Sequence, residues 1–206
     1  MSTGNDIVFL GATRPERTVL TRFYSRILSL AEQALYRQPE FPSLAFDHYI
    51  WLCWSVKEAV FKYRKRNFPD LVFSPLAIEI GRIECGADGE AYRCVAGYGP
   101  ETLYSRSFLM DGVIMTVVSD DETFADTCWG VRRIGSATYA DQSAAVRSYV
   151  LQELKTRFSL ANPQIEKDAA GCPDVWDGGR RLSIPVSLAH HDRYVAWSFR
   201  YSHSVL

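Results

Sequence analysis

Apolar residues recur at helical spacing between positions 45 and 66, where Ile50, Cys53, Trp54 and Phe61 fall at i, i+3 and i+4 intervals on one stripe. Phe46, Tyr49, Val56 and Val60 cover the other side, so the pattern predicts a helix buried nearly all round. Lys57 and Glu58 read onto the apolar stripe, where a core helix keeps hydrocarbon and where a charge needs a partner. Two readings meet that need: a bound metal with phosphates, or a plain Glu58–Lys62 ion pair at i, i+4 on a solvated face.

The same periodicities place the other elements. A short apolar strand runs from Ile7 to Leu10, with Asp6 at its entrance. Arg14 and Pro15 introduce a helix whose buried face is Val19, Leu20, Phe23, Tyr24, Ile27 and Leu28, leaving Arg14, Arg17, Arg22 and Arg26 outside. Ser29 and Glu32 have the spacing of a capping box. Leu76 to Ile80 with Ile83 reads as a strand, Gly86 to Gly89 as a turn, and Tyr104–Met110 pairs with Val113–Val118 through Asp111-Gly112. Trp129 to Ile134 is a further strand, and Asp141 is placed to cap a helix carrying Val146, Tyr149, Val150, Leu154 and Phe158. The acidic run Asp120-Asp121-Glu122 reads as a solvated loop past a strand end rather than as a metal site.

The far end of the chain repeats this pattern. Ser105–Val117 can be laid on Ser187–Phe199 without gaps, each a hairpin preceded by a glycine turn and, further back, by a helix. The boundary falls near Asp121, giving halves 1–120 and 121–206. Asp6, Lys57, Glu58 and Lys62 all lie in the first half, while His190 of the second stands opposite Phe108 of the first. Each half looks incomplete, which predicts one site per chain, built between them.

Composition narrows the partners. With 206 residues, 47% hydrophobic and 23% charged, the chain has material for one substantial core or two small ones. A net charge of -1 points to neither nucleic acid nor an anionic membrane. The first twenty residues carry Asp6, Arg14, Glu16 and Arg17 and no long apolar run, so the expected location is cytoplasmic. Five scattered cysteines, without C-x-x-C spacing, argue for reduced thiols and against a disulfide framework or a zinc site.

Three motifs carry a family resemblance. Trp54-Ser55-Val56-Lys57-Glu58-Ala59-Val60-Phe61-Lys62 resembles the W-x-x-K-E-A-x-x-K signature of the 4'-phosphopantetheinyl transferases. Gly4-Asn5-Asp6-Ile7-Val8 is similar to the G-x-D-I-V strand that opens holo-acyl-carrier-protein synthases, and Ser187-Leu188-Ala189-His190-His191 resembles the family's S-x-S-H segment. The resemblance implies an α+β fold of two similar halves forming a pseudo-dimer. It also implies transfer of the phosphopantetheine arm of coenzyme A to a serine of an acyl or peptidyl carrier protein, with release of adenosine 3',5'-bisphosphate.

The implied chemistry explains the residue types. Magnesium takes oxygen ligands and is often held by one or two carboxylates, which Asp6 and Glu58 match in number and kind. Glu58 or a water on the metal takes the serine proton, and the sequence leaves both open. Lys62 reaches the pyrophosphate or pantetheine side of the donor, and Lys57 joins the coenzyme contacts or orients Glu58. His190, with Ser187 nearby and Arg180 or Arg181 in support, bonds the 3'-phosphate. Arg14, Arg17, Arg22 and Arg26 dock an acidic carrier protein by electrostatic steering. Fatty acid biosynthesis is one pathway implied, polyketide and peptide synthesis being others, and two fused halves permit a monomer. A non-catalytic module that binds coenzyme A or the carrier is the alternative. Val8 stands where larger members have a second strand acid, Cys53 where small synthases have an arginine, and Ala189 replaces the second serine of S-x-S-H. The order of the halves is also reversed, since the larger members take the S-H segment from the first half and the acids from the second.

Overall fold

A computed structural model describes residues 2–38, 41, 44–86 and 89–201. Strand β1 (Gly4–Phe9) leads into two single-turn helices, α1 (Pro15–Thr18) and α2 (Thr21–Tyr24), then α3 (Leu30–Tyr36) and the long α4 (Phe46–Lys65). Strands β2 (Glu79–Cys85), β3 (Ala91–Tyr98), β4 (Glu101–Met110) and β5 (Val113–Ser119) follow. They form one antiparallel sheet in the order β1-β5-β4-β3-β2. The rest of the chain holds β6 (Thr127–Arg133), α5 (Tyr139–Phe158), β7 (Pro163–Lys167), β8 (Pro173–Asp177), β9 (Arg180–Leu182), β10 (Val186–His191) and β11 (Tyr194–Arg200). These make two three-stranded sheets, β10-β11-β6 and β7-β8-β9.

The fold is mixed α+β. Helix α4 lies on one face of the five-stranded sheet, and Tyr49, Ile50, Cys53, Val56 and Val60 are fully buried there. Gly4 permits the close approach of strand to helix: a Cβ at that position would stand 2.0 Å from the Ala59 carbonyl oxygen. Helix α5 packs Val146, Val150 and Leu154 against β10 and β11. A third apolar layer, with Ile7, Met115, Val117, Ala189 and Ala196, joins the five-stranded sheet to β10-β11-β6.

The tight hairpin between β4 and β5 forms at Asp111 and Gly112, whose φ values of 51° and 72° are the left-handed pair such turns require. Helix α4 agrees with the expected bounds to within a residue at each end. The capping box is present, with Ser29 Oγ accepting from the Glu32 amide and Glu32 Oε2 accepting from the Ser29 amide. Residues 87 and 88 of the expected Gly86–Gly89 turn lie outside the described residues.

Other expectations need correction. The single helix from Arg14 is broken, because Leu20 is extended (φ -71°, ψ 131°), and Val19 and Leu20 are 43% and 40% exposed rather than buried. Pro75–Ala77 is a 3-10 turn, and the strand begins only at Glu79. Helix α5 is capped by Thr138, whose hydroxyl accepts from the Asp141 amide, so Asp141 sits inside the first turn. The sequence pattern predicts neither strand β3 nor the small sheet β7-β8-β9.

A recurring order of elements is visible in the connectivity. Strand β1, helix α4 and the β4–β5 hairpin match β6, α5 and the β10–β11 hairpin, and the first strand pairs the second hairpin strand in each set. Asp6 pairs Thr116, while Trp129 pairs Ser198, the residue aligned with Thr116. Trp129 therefore occupies the place of Asp6 in the second set, stacked on Phe108 at 5.9 Å. Among the described residues, no helix is long and apolar enough to cross a membrane.

Candidate active site

The site begins with alternation along β1. Asp6 and Val8 face α4, while Ile7 and Phe9 face the second sheet, because strand side chains point to opposite faces in turn. On α4, Glu58 and Lys62 are one turn apart. The Lys62 ammonium lies 3.1 Å from Asp6 Oδ1 and 3.2 Å from Glu58 Oε1, so one cation draws together two carboxylates from two elements. Asp6 Oδ2 is buried with no hydrogen-bond partner among the described residues.

This geometry sets the charges. Burial pushes the Asp6 carboxyl up to about 7, against the pull of the Lys62 ammonium. Burial works to lower the Lys62 pKa, but Asp6 and Glu58 together outweigh it and the ammonium is raised overall. The Glu58 side chain is 28% exposed against 6% for Asp6, so Glu58 is the acid that solvent or a substrate can reach.

No group of three or more His, Cys, Asp or Glu side chains forms a metal cage among the described residues. Magnesium needs no such cage, since it keeps waters and takes phosphate oxygens beside one or two carboxylates. The free Asp6 Oδ2 beside Glu58 supplies an all-oxygen donor set that fits it. Val8 is buried in the apolar core and adds no ligand.

Beside Lys62 opens a cleft of about 250 Å³ between the end of α4, the start of α5, the β7–β8 turn and β10. Ser187 and His190 line it. The His190 ring meets Tyr139 edge-on at 5.3 Å, and burial followed by the nearby Lys62 charge holds its imidazole below the ordinary value. Ser187 Oγ also accepts from the Asn5 amide at 3.0 Å, and His191 Nδ1 accepts from the Phe9 amide at 3.1 Å. Two side chains of β10 thus satisfy β1 on the edge that β5 leaves open.

Three expected donors point elsewhere. The Lys57 ammonium is fully buried, 2.7 Å from both Glu32 Oε2 and the Ile27 carbonyl, and contacts neither Glu58 nor the cleft. Adjacent helical residues project about 100° apart, so Lys57 and Glu58 cannot share a stripe. Arg180 and Arg181 are exposed on β9, which folds back on β8, and Arg181 bonds Asp174 at 2.9 Å. Neither lines the cleft. Arg14, Arg17, Arg22 and Arg26 are all exposed beside Val19 and Leu20.

Other site residues escaped the sequence reading. Arg66, at the end of α4, holds Asp174 at 3.0 Å and the carbonyls of Pro173 and Val186, fastening the small sheet to the cleft. Arg147, Lys167 and Tyr139 line the cleft as well. The sequence marks Glu32 only as a cap, although the charge of Lys57 on an apolar helix is a signal that a buried acid exists.

Comparison with known proteins agrees with these features. The family model described as the 4'-phosphopantetheinyl transferase superfamily matches residues 2–99, a span containing both the Gly4–Val8 strand and the Trp54–Lys62 helix. No curated protein matches the chain. The family uses coenzyme A and acts on carrier proteins. The two acids of β1 and α4 that gather on Lys62 lie inside that span, residues 2–99, which matches the 4'-phosphopantetheinyl transferase superfamily, transferases of the phosphopantetheinyl type.

Proposed function

We propose that the protein transfers the 4'-phosphopantetheine arm of coenzyme A to a serine of an apo acyl or peptidyl carrier protein, in a magnesium-dependent reaction that releases adenosine 3',5'-bisphosphate. The observation that carries this reading is the meeting of Asp6 and Glu58 on Lys62, which itself lines the basic cleft. The serine oxygen bonds to the pantetheine-side phosphorus, the bond from that phosphorus to the bridging oxygen breaks, and the bisphosphate leaves with the electron pair. Asp6 and Glu58 would hold the magnesium, which supplies neutralisation of charge on the leaving phosphate. Lys62 brings its charge to the donor's pyrophosphate. Glu58, the more exposed acid, is open to the serine proton. Ser187 and His190 line the coenzyme's path.

The same proposal takes residues 1–120 and 121–206 as two halves of a pseudo-dimer that share one site and allow a working monomer. The place of Asp6 is filled by Trp129 in the second half, which supports a single site. Exposed Arg14, Arg17, Arg22 and Arg26 would dock an acidic carrier, in the cytoplasm.

The test is to incubate the full chain with coenzyme A, magnesium and an apo carrier protein and to weigh the carrier. A gain of one phosphopantetheine that disappears with Glu58→Ala supports transfer. Binding of coenzyme A with no gain in mass would instead identify a non-catalytic module and refute the reading.

A further inference from the structure

Strand β6 ends its sheet, since it pairs only with β11. At the two ends of that pair the Tyr201 amide donates to the Asp126 carbonyl at 3.1 Å and the Ile134 amide to the Arg193 carbonyl at 2.8 Å. Antiparallel alternation then turns the amides and carbonyls of Cys128, Gly130 and Arg132 toward β11, and those of Thr127, Trp129, Val131 and Arg133 away from it. The Phe124 carbonyl takes the Thr127 amide, and the Arg132 guanidinium donates to the Val131 carbonyl at 3.0 Å. The amides of Trp129, Val131 and Arg133 have no partner among the described residues. Other edges are guarded: β2 carries a bulge and the Arg82–Glu84 pair, and β7 opens on Pro163. Strand β6 has neither bulge nor proline. Trp129 and Val131 are half-buried, while Arg132 and Arg133 are exposed. Beside this edge runs a groove of about 320 Å³, lined by Gly130 and Arg132 of β6 and by Glu153 and Arg157 of α5. Glu153 is exposed and forms no ion pair among the described residues.

We propose that β6 pairs with β6 of a second copy of this chain, antiparallel about a twofold axis between the two Val131 residues. The open groups fix the register. Centred on Val131, the amides and carbonyls of Trp129, Val131 and Arg133 meet those of Arg133, Val131 and Trp129 in the second copy. Centring on Gly130 requires the Thr127 amide, which is already used, and centring on Arg132 sets the two Arg132 side chains directly opposite each other, an unfavourable like-charge pair. Around Val131, Arg132 instead lies opposite the second copy's Gly130, where no side chain obstructs it, on the sheet face that carries that copy's Glu153. Pairing passes the Val131 carbonyl to the second copy's Val131 amide and frees the Arg132 guanidinium for that Glu153, with one such ion pair on each side of the axis. Arg133 stands opposite the second copy's Trp129, a cation beside an indole. The groove shares no lining residue with the cleft at Lys62, so each copy keeps its own site.

The test is sedimentation equilibrium of the full chain from about 1 µM to about 200 µM, the range in which a small contact between copies saturates. A reversible equilibrium between monomer and dimer is expected. Val131→Pro removes an amide that faces away from β11, so it should keep the melting temperature and weaken dimerisation by at least about tenfold. Arg132→Glu is expected to weaken it by about tenfold through repulsion from Glu153, and Arg132→Glu/Glu153→Arg to restore it to within about threefold. Because Arg132 and Glu153 are both exposed, the charge exchange decides the matter even where Val131→Pro fails to fold. A parent that stays monomeric throughout, a dimer that neither single substitution weakens, or an exchange that binds no more tightly than Arg132→Glu would overturn the pairing.

Discussion

Lys57 and Glu32 form an ion pair 2.7 Å long with both side chains removed from solvent, 25 residues apart in the chain. Glu32 Oε2 also accepts from the Ser29 amide and Oε1 from the Ile80 amide, while Lys57 adds the Ile27 carbonyl. The pair thereby joins the start of α3, the middle of α4 and the start of β2. Such a pair is tolerated in an interior because nearly every polar atom has a partner. It also sets the rotation of α4, and with it the direction in which Glu58 and Lys62 point.

Lys57→Met should lower stability by about 3–5 kcal/mol, because Glu32 is left buried and unpaired. Lys57→Met/Glu32→Gln should recover part of that loss. Urea unfolding of the three proteins checks this, and a single variant as stable as the parent would contradict the buried pair.

Asp6→Asn should trade activity for stability. Its carboxyl is raised in the folded state by burial, so ionising it near neutral pH opposes folding, and a neutral amide escapes that cost. The expected outcome is carrier modification reduced by at least about a hundredfold with an unchanged or higher melting temperature. A fall in both would show that the aspartate mainly supports the fold.

The His191 bond predicts loss of stability in acid. Nδ1 accepts from the Phe9 amide, so protonating it removes the acceptor, and burial lowers this imidazole below its ordinary 6.5. Between the folded value and 6.5 the folded state binds fewer protons than the unfolded one, so stability rises with pH through that window. It is full above 6.5 and declines as pH falls below it. Unfolding midpoints measured from pH 5 to pH 7.5 test the slope, which should flatten in His191→Asn.

Reversing the exposed arginines should weaken the carrier encounter. Arg22→Glu/Arg26→Glu is expected to raise the KM for the carrier by about tenfold, leave that for coenzyme A unchanged, and reduce the salt dependence. Equal KM values for the carrier before and after the change would place docking elsewhere.

Much of the fold was legible because its signals are local. The stripe over α4, the Asp111-Gly112 turn and the Ser29–Glu32 box each depend on residues within a few positions of one another. The strands of the β7-β8-β9 sheet are short and β3 ends in Ala96-Gly97-Tyr98, so although each pairs with its neighbours in sequence, little alternation marks them. The arginine-rich helix was misjudged because apolar spacing alone does not reveal the break at Leu20.

For the site, the chain by itself determined which chemical groups are present and that Glu58 and Lys62 share a helical face, since one turn of helix brings i and i+4 together. Only the tertiary structure decided that Asp6 reaches the same ammonium, that Lys57 turns inward to Glu32, and that Arg147 and Lys167 rather than Arg180 and Arg181 face the cleft. The reason is that sequence spacing constrains direction only within one element. The angle between elements is set by packing: here by the missing Cβ at Gly4, the buried ion pair, and the β10 side chains that cover the edge of β1.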